Sequence, residues 1–153
     1  MRDGLKTALV SGASLLAGTV IGGYLFSKTQ RRPVLSLHKC EQRCLKVEEL
    51  TGLLASVALN KFPRLVPSVV LQTDMTVAIR HPDPQKRVHY VVIPKKDITN
   101  VGALSDEDKE YLIDLFAVIQ ELIDKDHLTN YEVITNGPEK QTMTYLHFHL
   151  IAD

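Results

Sequence analysis

The sequence has no excess of either charge and very few cysteines. Among 153 residues, 18 Lys and Arg balance 18 Asp and Glu, so the formal net charge is zero. Without a basic excess there is no electrostatic reason to expect DNA or RNA as a partner. The two cysteines are too few for a disulfide framework. The chain also lacks internal repeats and low-complexity segments.

The two cysteines, Cys40 and Cys44, lie four residues apart, just after His38. A metal site and a redox pair are the functional interpretations of this pattern. Two thiols and one imidazole lack the fourth ligand of a usual zinc site, and a disulfide between consecutive turns of one helix would constrain little. The sequence therefore predicts two free thiols.

The balanced net charge hides a basic leader. Residues 1–46 contain eight basic and two acidic side chains, a net charge of +6, which leaves −6 for residues 47–153. Within the leader, residues 7–26 are uncharged, and about 20 residues are enough to cross a bilayer as a helix. The sequence predicts one transmembrane anchor that is retained rather than cleaved.

Basic residues flank this segment on both sides, which weakly places the rest of the chain on the cytosolic or matrix-like side of the membrane. A short, glycine-containing span with little acid near it predicts a mitochondrial membrane location. The endoplasmic reticulum membrane is the alternative. We expect residues 1–33 to form the anchor and a short linker, and residues 34–153 to form the folded domain.

Hydrophobic periodicity in the folded part predicts an α+β domain. Helical spacing covers residues 41–59, and a second helix follows the apparent capping box of Ser105 and Asp108 and runs to about Asp126. Short β-rich runs bounded by turn residues predict five strands. These strands are expected at residues 69–72, 75–80, 88–93, 131–135 and 143–151. The order predicts an antiparallel sheet of about five strands with two main helices packed against it.

The last predicted strand contains the most informative fragment. Residues 145–151 read Tyr-Leu-His-Phe-His-Leu-Ile, so a strand would place His147 and His149 on the same face. Two buried imidazoles require partners or a function. The residues alone leave three interpretations, which are chemistry on an anion, a metal site, or a hydrogen-bonded structural pair.

This fragment resembles the signature of the histidine triad (HIT) superfamily, with Tyr145 in place of the first histidine. A second block, residues 88–98, resembles the family strand that carries a histidine, here His89, before a hydrophobic run and Ile-Pro-Lys. The resemblance extends from about residue 53 to residue 153. It implies a HIT-like fold, and the most similar branch is that of the Hint-like nucleoside phosphoramidases.

The resemblance implies hydrolysis or transfer of a nucleotide through a covalent nucleotidyl-histidine intermediate. His147 would attack the α-phosphorus of a nucleoside phosphoramidate or a related purine nucleotide, without a cofactor. A neutral imidazole is a nucleophile when its other nitrogen holds a proton on an acceptor. In the family that acceptor is the backbone carbonyl at the position of Tyr145. His89 would act near the leaving group or support the site, and a structural role for it is equally open.

The resemblance also implies a binding surface for the nucleotide. Donors for the phosphoryl oxygens would come from His149, Thr142, Gln141 and the main chain around them. Asn136 corresponds to a family residue near the phosphate or the ribose. Hint-like relatives are commonly two-fold dimers, and both a homodimer and a monomer are open for this chain.

Three departures from the family pattern favour an alternative function. His81 occupies the position of the acid that usually grips the ribose hydroxyls, Tyr145 removes one imidazole, and the sequence ends at Asp153 without the usual C-terminal segment. The alternative is a catalytically weak HIT-fold module that binds a nucleotide or a protein at a membrane.

A metal site is the competing explanation of the strand histidines. His147 and His149 with a third imidazole, such as His89, could form an open zinc site. No acidic or thiol ligand has an obvious spacing to these histidines, so the sequence favours a site without metal.

Overall fold

The computed structural model of the chain describes residues 2–36 and 44–153, and the side chains of the first segment from residue 11 onward. Three α-helices, three short 3₁₀ helices and five strands account for the regular structure of these residues. The helices are α1 (Arg2–Phe26), α2 (Val47–Lys61) and α3 (Lys109–Lys125). The strands are β1 (Val69–Gln72), β2 (Thr76–Arg80), β3 (Val88–Pro94), β4 (Tyr131–Ile134) and β5 (Phe148–Ala152).

The five strands form one antiparallel sheet in the order β1-β2-β3-β5-β4. This confirms the predicted α+β class and the predicted number of strands. The central strand β3 is buried along its whole length. Side chains alternate between the two faces of a strand, so β3 divides into two sets that each belong to a different hydrophobic cluster.

One face of the sheet packs against α3. Val88, Tyr90 and Val92 of β3 share a buried cluster with the apolar stripe of α3, which includes Leu115 and Leu122. The repeat of apolar residues every three or four positions gives α3 this stripe. The predicted capping box is present, because the Asp108 carboxylate accepts from the Ser105 backbone N–H at 2.8 Å. A short 3₁₀ turn, Asp106–Asp108, separates Ser105 from the first residue of α3.

The opposite face carries a smaller cluster and the polar residues of interest. Val91 and Ile93 of β3 pack there with Val77 of β2, Leu59 of α2 and Tyr145. The other side chain of β3 on this face is His89. Because α2 covers only part of this face, the sheet leaves room for a cavity beside the helix.

Helix α2 begins later than the sequence pattern predicts. The predicted start was residue 41, whereas the helix starts at Val47. Before it, Leu45 forms an isolated β-bridge with Leu35, which keeps the chain extended. Residues 41–43 lie outside the described residues.

The prediction of two free thiols is wrong for Cys44, because this residue is disulfide-bonded. Cys44 also precedes α2 and lies in extended backbone, where its carbonyl accepts from the Ser36 N–H at 2.8 Å. The sequence pattern, in contrast, predicts that Cys44 lies in the first turn of the helix. Cys40 lies outside the described residues.

Strand β5 is shorter than predicted. It starts at Phe148 rather than at residue 143, so His147 precedes the strand. The residues before β5 form backbone hydrogen bonds outside the sheet. The Thr144 N–H donates to Glu48 O of α2 at 3.0 Å, and the Leu146 N–H donates to Ile98 O at 2.7 Å. Gly52 permits the approach of α2, since a Cβ there would lie 2.6 Å from Thr144 O.

The predicted membrane span, residues 7–26, falls within α1. In the part of the chain that the structure describes, no helix is both long enough and apolar enough to cross a membrane. The structure therefore gives the predicted anchor no support.

The segment after α1 is bound to the domain by a buried ion pair. The Arg32 guanidinium donates to both carboxylate oxygens of Asp97, one of them at 2.7 Å, and also to Thr144 O at 2.8 Å. The Gln30 backbone N–H donates to the same carboxylate at 2.8 Å. The side chains of Arg32 and Asp97 are each only 1% exposed. The residues expected to be a linker thus contribute a buried charge to the domain.

We expect Arg32→Met to lower the free energy of unfolding by about 3–5 kcal/mol, because Asp97 would remain buried without its partner. Chemical denaturation of the full-length protein measures this change. The matched control is Arg31→Met, because Arg31 is exposed and should change stability by no more than about 0.5 kcal/mol. Equal effects of the two substitutions would show that the buried pair is not required for the fold.

Candidate active site

Four histidines from neighbouring strands lie together on the sheet face that α3 does not cover. His81 directly follows β2, His89 is in β3, His147 directly precedes β5, and His149 is in β5. His149 pairs with Val91, two residues beyond His89. His81 donates its backbone N–H to His89 O at 2.8 Å. Strand register therefore places the four imidazoles side by side.

A hydrogen bond holds the His147 imidazole in the tautomer that a nucleophile requires. Its Nδ1 lies 2.7 Å from Tyr145 O, and because a carbonyl can only accept, Nδ1 carries the proton. The lone pair of Nε2 is consequently free. Burial lowers the pKa of His147, against the opposing effect of the Tyr145 carbonyl. Thr135 fixes the backbone by donating its hydroxyl to His147 O at 2.7 Å.

Tyr145 contributes its carbonyl to the site and its ring to the core. The side chain is fully buried, and its hydroxyl donates to Lys95 O at 3.1 Å. Burial raises the pKa of this phenol, so it stays protonated. The carbonyl contact that the family resemblance implies is therefore present although the first imidazole is not.

A chain of hydrogen bonds sets the tautomers of His89 and His149. The Gln85 N–H donates to His89 Nδ1 over a long 3.4 Å, which leaves the proton of His89 on Nε2. His89 Nε2 lies 2.9 Å from His149 Nδ1 and donates to it. His149 must then carry its own proton on Nε2. It is a neutral donor, because burial lowers its pKa to about 4 and the imidazoles of the other three histidines act in the same direction.

Three of the four histidines, His81, His147 and His149, border a cavity of about 420 Å³. Of the predicted site residues, Asn136, Thr142, His147 and His149 line this cavity. His89 is buried and does not line the cavity, but its ring contacts two residues that do, His81 and His149. Gln141 lies elsewhere, since its side-chain amide donates to Thr99 O at 3.3 Å.

Sequence reasoning did not identify two contributors to the site, Lys140 and Arg32, and it identified His81 only as a departure from the family pattern. Lys140 lines the cavity from the loop before Thr142, and His81 lines it from the other side. Arg32 supports the segment before His147 through its bond to Thr144 O. Lys140 lies next to a predicted binding residue, which is a usable signal. The contact of Arg32 joins residues 112 positions apart, and no local pattern indicates it.

Three imidazoles are close enough to be considered as metal ligands. His81, His89 and His149 each offer a nitrogen, and these atoms lie within 4.8 Å of one another. This set differs from the alternative predicted from sequence, which used His147. The rings of His81 and His89 are stacked 4.0 Å apart and almost parallel, at 7°. A metal lies close to the plane of each imidazole that binds it, so two stacked rings would have to turn before sharing one ion.

The fold and the site together define an α+β protein with an oriented histidine in an open cavity. A sequence profile of the family described as "Scavenger mRNA decapping enzyme C-term binding" matches residues 59–153. An uncharacterized HIT-like protein of Synechococcus elongatus is 34% identical over 93 residues, which cover 58% of this chain and 82% of that protein.

Solved structures of HIT proteins have the same fold. A HIT family hydrolase from Clostridium thermocellum superposes with a TM-score of 0.58 at 27% identity, covering 63% of this chain and 89% of that chain. A HIT family hydrolase from Legionella pneumophila superposes with a TM-score of 0.57 at 25% identity, covering 61% of this chain and 88% of that chain.

The chain therefore belongs to the HIT superfamily, with a match to its scavenger decapping family over residues 59–153. This confirms the superfamily that the two sequence blocks predicted. The Hint-like branch stays a prediction.

The hydrogen-bonded cluster should keep His149 uncharged well below neutral pH. We expect its ring signals in a ¹H–¹⁵N spectrum of the full-length protein to titrate with a midpoint of about 4. An unfolded histidine titrates near pH ~6.5, so the unfolded chain binds more protons between these values. The free energy of unfolding should therefore fall as the pH drops from ~6.5 towards 4.

The control for this titration is His89→Asn, which removes one of the imidazoles that lower the pKa of His149. In this variant, the pH midpoint of the His149 titration should be higher than in the wild type. A wild-type midpoint at or above pH ~6.5 would contradict the assigned environment.

Proposed function

We propose that this protein is a nucleotide hydrolase that acts on a nucleoside phosphoramidate or a related purine nucleotide through a covalent intermediate on His147. The observation that carries the proposal is the 2.7 Å contact between His147 Nδ1 and Tyr145 O. This contact leaves Nε2 with a free lone pair towards the cavity. The naming of two similar structures as HIT family hydrolases supports the same class of reaction.

The reaction takes place in two steps. His147 Nε2 attacks the α-phosphorus, a phosphorus–nitrogen bond to the imidazole forms, and the bond to the leaving amine breaks as that amine takes up a proton from solvent. Water then attacks the same phosphorus, the phosphorus–nitrogen bond to His147 breaks, and the nucleoside monophosphate leaves. The proton that the water loses goes to solvent, and His147 returns to its neutral form. Dividing one difficult displacement into two easier ones is the advantage of a covalent route.

Donors around the cavity are placed to stabilise charge on the phosphoryl oxygens. His149 offers Nε2–H without carrying a charge, because Nδ1 accepts from His89 at 2.9 Å. Thr142 and Lys140 line the same cavity and supply a hydroxyl and an ammonium. Donors held in position before the reaction stabilise the developing charge without reorganisation.

We expect His147→Ala to lower the turnover of a fluorogenic adenosine phosphoramidate by about a thousandfold or more, because the covalent route is lost. Mass spectrometry of quenched wild-type protein should find one nucleotidyl group on the peptide that contains His147. The matched control is His127→Asn, which replaces an exposed histidine whose backbone φ is 52°. Asparagine tolerates this conformation, so the activity should be unchanged.

Turnover that survives His147→Ala would overturn the assignment of the nucleophile. Wild-type protein that binds AMP without turning over the phosphoramidate would support the alternative function, a nucleotide-binding module. The feature that favours the alternative is His81, which occupies the position of the family's ribose-binding acid. The two outcomes are distinguished by measuring binding and turnover on the same preparation.

A homodimer remains a proposal for the assembly. Ile113 and Phe116 of α3 are 71% and 49% exposed, and exposed apolar side chains on one helix suit a subunit interface. We expect Ile113→Lys to shift the light-scattering mass of the full-length protein from dimer to monomer. A wild-type monomer would overturn the proposal. The membrane attachment and mitochondrial location stay predictions from the sequence.

A further inference from the structure

His81 is fixed on three sides. Its backbone N–H donates to His89 O at 2.8 Å, its ring stacks on His89 at 4.0 Å, and its Nδ1 accepts from the Asp83 N–H at 3.0 Å. A ring that is held by its backbone, by one face and by one nitrogen has little freedom. His81 is therefore a built part of the cavity wall and not a loose surface side chain.

The contact with Asp83 decides what His81 offers to a ligand. A backbone N–H can only donate, so the lone pair of Nδ1 is occupied and the proton of the neutral ring is on Nε2. The ring can then donate a hydrogen bond to a ligand but cannot accept one. The acid that the family resemblance places here would accept from the two hydroxyls of a ribose. His81 therefore offers a hydrogen-bond donor at a position where the family acid offers an acceptor.

Other side chains of the cavity lining also offer donors to a ligand that carries acceptor atoms. Besides His81, the lining includes the ammonium of Lys140 and the donors of His149 and Thr142. Among the described residues that line this cavity there is no carboxylate. The carboxylate of Asp83 is close enough to act on His89, but Asp83 is exposed and does not line the cavity.

We propose that the cavity accepts a nucleotide that carries a second phosphate on its sugar, and that His81 is the residue that selects this phosphate. The inference rests on the proposed function, because it assumes that the first phosphate is bound at His147 and His149. The ring centres of His81 and His149 are 5.8 Å apart, so His81 lies beside the donor proposed for the first phosphate, at the position where the family resemblance places the ribose. Phosphate oxygens are acceptors, and they match the donors of this wall.

The test is calorimetric binding to the full-length protein of four probes, which are AMP, adenosine 3′,5′-bisphosphate, ADP, and AMP with added inorganic phosphate. The bisphosphate should bind about tenfold more tightly than AMP, as expected for one additional charge-assisted hydrogen bond. ADP places its second phosphate on the chain and not on the sugar, so it should gain less. Free phosphate should not improve the binding of AMP.

Two variants of equal size isolate the role of His81. His81→Asp introduces an acceptor and a negative charge, so it should abolish the preference for the bisphosphate and favour AMP. His81→Asn keeps a neutral donor, so it should retain part of the preference. Thermal melting shows whether each variant is folded, and the wild-type ligand series tests the proposal even if a variant does not fold.

Equal binding of AMP and the bisphosphate by the wild type would overturn the proposal, and so would an equal gain from ADP. A preference that survives in folded His81→Asp would overturn the assignment to His81. These outcomes are separate from those of the catalytic test. Phosphoramidate turnover without a bisphosphate preference removes only this inference, whereas a bisphosphate preference without turnover removes only the proposed hydrolase activity.

Discussion

The site depends first on the register of β3 between its two neighbours. Side chains alternate across a strand, so a shift of one residue would move His89 to the face packed against α3 and bring Val88 or Tyr90 to the cavity. The apolar set of β3 that faces α3 is buried and prevents such a shift. Hydrophobic packing on one side of the sheet thus determines the chemistry on the other side.

A second constraint acts on the segment before β5, where regular strand pairing stops. His147 needs a carbonyl two residues before it, at 2.7 Å, and an ordinary strand does not fold back on itself in this way. The backbone is held in this turn by α2 through Glu48 O, by Ile98 O, and by the Arg32 guanidinium on Thr144 O. His147, the proposed nucleophile, is therefore positioned by three parts of the chain that are remote from it in sequence.

The sequence predicted the elements that follow from local hydrophobic periodicity and the site residues that follow from family resemblance. It did not predict features that depend on contacts between distant parts of the chain. Strand β1 was predicted from its short β-rich composition next to turn residues, and the body of α3 was predicted from the helical spacing of its apolar residues. The start of β5 was misplaced because the residues before it have a strand-like composition but bond to α2 and Ile98. The helical spacing of apolar residues likewise could not reveal the β-bridge between Leu35 and Leu45. This bridge keeps the chain extended, so α2 starts later than the spacing predicts.

The electrostatics of the cluster explain how these imidazoles can lie side by side. Close cationic imidazoles would repel one another, and burial together with their neighbours lowers the pKa of His89, His147 and His149. In their neutral forms they divide the roles through their tautomers, since His147 offers a lone pair and His149 offers a proton. Each tautomer is fixed by a group outside the cavity, Tyr145 O for His147 and His89 for His149. The substitution of Tyr145 for the first triad imidazole is compatible with the proposed role of His147, because the backbone acceptor at that position is retained.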